Sequence, residues 1–161
     1  MIYPFNATEA FKIAVGLEEN GLRFYQEAAK KFSGPVADLF KSLAQEEAIH
    51  KATFAKFLEA VPREQPTVYD PDNETDDYLR MMAGINVFDN VPADVEKRLA
   101  GLHTVGDALR MAMNFEKDSI VFFVQLKNSS DTAADQMSVD KLILEEAKHL
   151  RKLAKIYNGL A

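Results

Sequence analysis

Four long stretches of this chain space their apolar residues at helical intervals, and each breaks its apolar stripe near the middle with a glutamate. Glu18 shares its stripe with Phe11, Ala14, Gly21, Leu22, Tyr25 and Ala28. Glu47 shares one with Phe40, Leu43, His50, Phe54, Leu58 and Val61. Glu116 stands among Leu109, Ala112, Met113, Ile120 and Phe123, and Glu146 among Val139, Leu142, Ile143, His149, Leu150, Leu153 and Tyr157. Residues three, four and seven apart lie on one face of a helix. Glutamate is almost never fully buried unless it is paired. A compact arrangement that buries these four faces brings four carboxylates into one dry region, where like charges repel and are poorly solvated.

Two of the four glutamates are followed one turn later by a histidine, in Glu47-Ala48-Ile49-His50 and Glu146-Ala147-Lys148-His149. Metal ions resolve the charge problem. Carboxylate oxygens and imidazole nitrogens form a mixed donor set that suits iron or manganese better than a structural zinc site. One Glu from each of two helices plus Glu-x-x-His from each of the other two is the ligand pattern known for di-iron carboxylate bundles. The candidate ligands are therefore Glu18, Glu47, His50, Glu116, Glu146 and His149, holding two Fe ions with Mn or Zn as substitutes.

The spacing predicts helices over 7–32, 35–61, 104–127 and 132–157. Asn6 with Glu9 reads as a capping box, and Ser33-Gly34-Pro35 separates the first two helices, with Pro35 suited to a first helical position. Pro62 closes the second, and Asp107 faces the free N–H groups of the third. Residues 62–103 form a polar, turn-rich connection with two short helices, DDYLRMMAGI and VPADVEKRLAGL. The expected organisation is one all-α domain over 1–161: hairpin 7–61, long crossover 62–103, hairpin 104–157.

The hairpins repeat one another. Phe24-Tyr25 follows Glu18 at the offset at which Phe122-Phe123 follows Glu116, and LAQEEAIH (43–50) echoes LILEEAKH (142–149). Glu18 to Glu47 spans one residue less than Glu116 to Glu146.

With 161 residues the chain can bury a sizeable core. Its net charge of −6 argues against a nucleic-acid surface. No cysteine is present, which excludes disulfides, iron–sulfur centres and thiol catalysis. The amino terminus lacks the pattern of a signal peptide, and no apolar run is long enough to span a membrane, so a cytoplasmic protein is expected.

Glu18-Glu19-Asn20-Gly21 through Phe24-Tyr25, Glu46-Glu47-Ala48-Ile49-His50, Glu116 with Phe122-Phe123, and Glu145-Glu146-Ala147-Lys148-His149 resemble the rubrerythrin branch of the ferritin-like di-iron-carboxylate proteins. The resemblance implies a ferritin-like four-helix bundle. It implies an oxidoreductase that reduces hydrogen peroxide or dioxygen with two Fe(II), in oxidative-stress defence, supplied by an external electron-donor protein. A homodimer is compatible with it. Full-length rubrerythrins also carry a four-cysteine rubredoxin-type centre, which this chain lacks. They tend to carry an extra carboxylate one turn along the third helix, where Ser119 stands here, and that argues against a peroxidase route that depends on it. Ferroxidase activity linked to iron handling is the alternative reading, and a non-catalytic metal-binding bundle the reading from another class.

Glu46 and Glu145 have two readings, as solvated faces or as partners of a histidine N–H, and neighbouring helical positions favour the first. Tyr25 reads as core packing with a satisfied hydroxyl, with a hydrogen bond near the site or the carriage of an electron as the alternatives. His103 reads as a surface loop residue, Met81, Met82, Met111 and Met113 as packing, and the acidic run 70–77 as a solvated loop.

Overall fold

The computed structural model describes residues 7–61, 92–128 and 133–160. These form helices α1 (Ala7–Lys31), α2 (Pro35–Ala60), α3 (Pro92–Ala100), α4 (Val105–Asn128) and α5 (Ala133–Asn158), with no strand among the described residues. The four long helices lie within a residue or two of the expected ones. The second of the two short helices is α3. The first, the Asn6 half of the capping box, Met81, Met82 and the acidic run 70–77 lie outside the described residues.

Local chemistry sets the helix ends. Gly34 takes φ 70°, ψ −155°, a backbone conformation open mainly to glycine, and Pro35 follows at the first helical position of α2. At the start of α4 the capping side chain is Thr104 rather than Asp107. The Thr104 hydroxyl accepts from the Asp107 N–H at 3.0 Å and donates to Asp107 Oδ2 at 2.7 Å.

α1 packs along α2, and α4 along α5, as two hairpins. Two apolar layers fill the bundle. One holds Phe24, Tyr25, Phe40, Leu43, Leu109, Phe115 and Leu153; the other holds Phe11, Leu17, Phe54, Phe122, Phe123 and Leu142. The order in which each helix passes these layers gives its direction. α1 and α5 run from the second layer to the first, and α2 and α4 run from the first to the second. Successive long helices α2 and α4 are therefore parallel. At 1.5 Å per residue, the chain between them must return roughly the length of a helix, about 39 Å for 26 residues. That is the physical reason for the long crossover. α3 lies at its far end, with Val95 and Leu99 in the first layer and the Leu99 carbonyl accepting from Lys31 Nζ at 2.5 Å.

On α4 the buried face is rotated from the expected stripe. Phe115 and Phe122 are buried, whereas Met113 and Ile120 are only half-buried. α4 meets α1 as well as α5, so its apolar arc must serve two neighbours. Met111 and Met113 pack against the first layer, and His103 is exposed. No described helix is long and apolar enough to cross a membrane.

Gly21 is where α1 meets the ring of Phe115. A Cβ there would lie 2.6 Å from Phe115 Cε1 and 3.4 Å from the carboxyl carbon of Glu47. Gly21→Ala gains about 1 kcal/mol of helix propensity and incurs an overpacking cost of about 1–3 kcal/mol. The expected outcome is a lower melting temperature, read by circular dichroism; an unchanged or higher one would show that Phe115 yields without cost.

Candidate metal centre

Between the two apolar layers lies a polar one. Each long helix leaves the second or first layer, contributes a glutamate, and enters the other. Glu18, Glu47, Glu116 and Glu146 are at most 2% exposed, and His50 and His149 equally so. The structure brings all six residues together.

They form two overlapping groups of potential ligands. Glu18, Glu47, His50 and Glu146 offer one donor atom each, all within 4.8 Å of one another; Glu47, Glu116, Glu146 and His149 do the same. Glu47 and Glu146, the carboxylates of the two Glu-x-x-His motifs, belong to both groups. Glu18 and Glu116 belong to one each, as do the two histidines. The imidazoles lie nearly parallel, with centroids 5.5 Å apart and planes at 13°.

Whether these residues suit metal ions is decided by their unmet bonding. Glu18 Oε2, Glu47 Oε1, Glu116 Oε2, both oxygens of Glu146, and Nδ1 of both histidines are buried without a hydrogen-bond partner. Buried polar atoms are normally satisfied. Here the orphaned atoms are lone-pair donors that converge, which is the pattern of a ligand set.

The outer ends of the histidines are fully engaged. His50 Nε2 lies 2.8 Å from Glu145 Oε2, and His149 Nε2 lies 3.0 Å from Glu46 Oε2. A carboxylate there selects the tautomer with its proton on Nε2 and turns the Nδ1 lone pair inward. This corrects the reading of Glu46 and Glu145 as mere solvated faces. Each precedes its own helix's ligand but reaches the histidine of the opposite helix, because α2 and α5 pack face to face at this level. Spacing within one helix carries no signal of that cross-pairing. The internal repeat does: both hairpins place Glu-Glu before x-x-His.

Tyr25 is also more than packing. Its hydroxyl donates to Glu116 Oε1 from α1 across to α4. The repeat places Phe123 at the matching position of the other hairpin, so this contact has no counterpart there. Ser119, one turn after Glu116, is buried.

The rubrerythrin family model matches residues 9–157. The chain belongs to the rubrerythrin family. It is also similar to a crystal structure from Thermotoga maritima described provisionally as a ferritin-like diiron-carboxylate protein, at 26% identity and a TM-score of 0.70, over 98% of this chain and 97% of that one. No curated protein matches it.

The electrostatics of this rubrerythrin-family cluster follow from burial first. Burial drives Glu18, Glu47 and Glu116 well above the ordinary carboxylate range, with neighbouring carboxylates adding to it. Burial pushes Glu146 the same way, but the close approach of Glu116 and of the two histidine rings outweighs it and holds Glu146 well below that range. For His50 burial favours the neutral ring, but Glu146, at 2.7 Å, raises it to about 9. His149 is raised further, against burial, by Glu116, Glu146 and Glu47. Without metal the balance of the cluster is thus tilted toward the neutral forms of Glu18, Glu47 and Glu116 and toward charged imidazoles.

Metal coordination needs those groups deprotonated, so loading must release protons and apparent affinity must fall as pH falls. Titration with Mn(II) in weakly buffered solution should acidify the medium, and its affinity should rise with pH up to about 9, where His50 gives up its proton. Proton-neutral binding would mean that the apo cluster is already fully ionised. The protons also bear on stability. Burial opposes keeping Glu18 ionised, and replacing buried charged groups by apolar ones can stabilise by about 1–4 kcal/mol. Glu18→Leu should raise the melting temperature of the metal-free protein. Glu116→Leu should raise it less or not at all, because it strands the Tyr25 hydroxyl. Equal shifts in the two variants would contradict that hydrogen bond.

Proposed function

We propose that this protein is an oxidoreductase that reduces hydrogen peroxide or dioxygen with a pair of iron ions, as part of oxidative-stress defence. One observation carries the reading: two four-residue ligand groups that share Glu47 and Glu146. Two ions held by these groups would share Glu47 and Glu146 and take one imidazole each. When bound, an iron pair supplies two electrons and Lewis acidity next to one another, which suits cleavage of an O–O bond.

The chain's own residues do the rest. Glu47 and Glu146, common to both ligand groups, would supply carboxylate charge to both ions, and Glu18 and Glu116 would each supply it to one. Glu145 and Glu46 hold the imidazole protons on Nε2 and keep both Nδ1 atoms aimed inward. The aromatic layers of Phe24, Phe40 and Phe115 on one side, and Phe54, Phe122 and Phe123 on the other, keep bulk water from the cluster. Tyr25 holds a proton at Glu116 Oε1, inside the ligand cluster, where proton transfer could be served.

The two electrons must be restored from outside. The chain has no cysteine for an accompanying rubredoxin-type centre, so the reading includes a separate electron-donor protein, in the cytosol. Ferroxidase activity with iron handling uses the same ligands and differs in its oxidant and its iron stoichiometry.

Anaerobic loading with Fe(II) should yield two irons per chain, one for each ligand group. Stopped-flow mixing of that protein should show faster oxidation by hydrogen peroxide than by air-saturated buffer, with no mineral core. A stoichiometry near one, or a colourless protein after oxidation, would defeat the paired-iron reading. Retention of many irons after aerobic loading would favour iron storage. Within the site, Glu47→Ala or Glu146→Ala should abolish binding at both positions, whereas Glu18→Ala should spare one.

A further inference from the structure

The two hairpins repeat closely enough that the two metal positions would be expected to match. Three differences in the surrounding side chains all bias them the same way. The first is Tyr25. Its hydroxyl donates to Glu116 Oε1, whereas the repeat places Phe123, with no hydroxyl, at the matching place. The donated proton draws electron density from that carboxylate and leaves less on the oxygens that face an ion.

The second is Lys152. It stands 2.7 Å from Glu46 Oε1, and the Ser42 hydroxyl donates to the same oxygen at 3.2 Å. Glu46 therefore divides its charge among Lys152, Ser42 and His149 Nε2. In the repeat, the residue three after the histidine is Thr53, whose hydroxyl instead donates to the Ile49 carbonyl at 2.9 Å.

The third is Glu145, which follows from the second. Among the described residues it meets no lysine or arginine. Among the described residues the partner of its carboxylate is His50 Nε2, at 2.8 Å against 3.0 Å for the Glu46 pair. An undivided carboxylate on the outer N–H makes an imidazole the stronger donor. The electron-rich ligands, Glu18 and His50, fall in one group, and the electron-poor ligands, Glu116 and His149, fall in the other. The shared Glu47 and Glu146 cancel in the comparison.

We propose that the two metal positions are unequal: the one held by Glu18 and His50 binds a divalent cation more tightly than the one held by Glu116 and His149, with Tyr25, Lys152 and Glu145 as the positioning residues that set the difference. This rests on the reading that the cluster holds two ions. It makes loading sequential. The weaker position fills second and empties first, so a partly loaded chain carries a single ion beside His50.

The test is an anaerobic titration of the full chain with Mn(II), followed by electron paramagnetic resonance. The first equivalent should give the signal of an isolated Mn(II), and the second should replace it with that of a coupled pair. Removing an outer partner of a metal ligand typically costs about 10–100-fold in affinity, so a position whose histidine has an undivided partner should bind at least about tenfold more tightly than one whose partner is shared. Glu145→Gln should weaken the first step by about that factor and leave the second unchanged. Lys152→Met should strengthen the second step, and Tyr25→Phe should strengthen it further. Glu116→Ala should retain one tight ion and Glu18→Ala one weak ion. Lys152 and Glu145 are 41% and 44% exposed, so their variants stay informative even if Tyr25→Phe fails to fold. A coupled-pair signal from the first addition, or an unchanged ratio of the two steps in Lys152→Met and Glu145→Gln, would overturn the proposal. No coupled signal at saturation would instead remove the two-metal reading, and the proposal with it.

Discussion

Four carboxylates in a dry layer are the constraint on which the rest of this structure depends. Each of Glu18, Glu47, Glu116 and Glu146 sits where its helix leaves one apolar layer and enters the other. Without a cation, burial and neighbouring carboxylates push three of the carboxyls toward the neutral form, while the two imidazoles favour the ionised form of Glu146. Packing of the flanking aromatic layers holds the groups together against their repulsion. In a bundle built this way, metal affinity and fold stability draw on the same residues in opposite directions.

The topology follows from placing that layer mid-bundle. Each hairpin supplies one helix with a lone glutamate and one with Glu-x-x-His. The two hairpins run oppositely past the layers, as a pseudo-twofold repeat would have them. This brings α2 and α5, the two Glu-x-x-His helices, against each other. Their shared glutamates then meet between the imidazoles, and the glutamate before each of these reaches across to the other helix's histidine. The parallel arrangement of α2 and α4 is what requires the long crossover.

Symmetry in the backbone did not carry through to the chemistry. Tyr25 against Phe123, Gly21 against Ser119 and Lys152 against Thr53 are differences at matching positions of the repeat. Each changes what surrounds a ligand rather than the ligand itself. Gly21 admits the Phe115 ring, Tyr25 occupies an oxygen of Glu116, and Lys152 shares the charge of Glu46. A duplicated site can thus become two distinct positions with its six inner residues retained.

The sequence by itself determined the helices, their ends at Pro35 and the Gly34 turn, and the phase of the glutamates and histidines on apolar stripes. It could do so because these are properties of a single helix: a period of 3.6, and the cost of burying a charge. The resemblance to rubrerythrins rests on the residues of those stripes and their neighbours. Only the tertiary structure decided which glutamates belong to both ligand groups, which helix's histidine Glu46 and Glu145 serve, and that Tyr25 reaches Glu116. It also turned α4 so that Phe115 and Phe122, not Met113 and Ile120, are buried. Those outcomes depend on how far apart the helix axes lie and how each helix is rotated toward its neighbours. Side chains from different helices set those quantities jointly, and no periodicity along one segment encodes them.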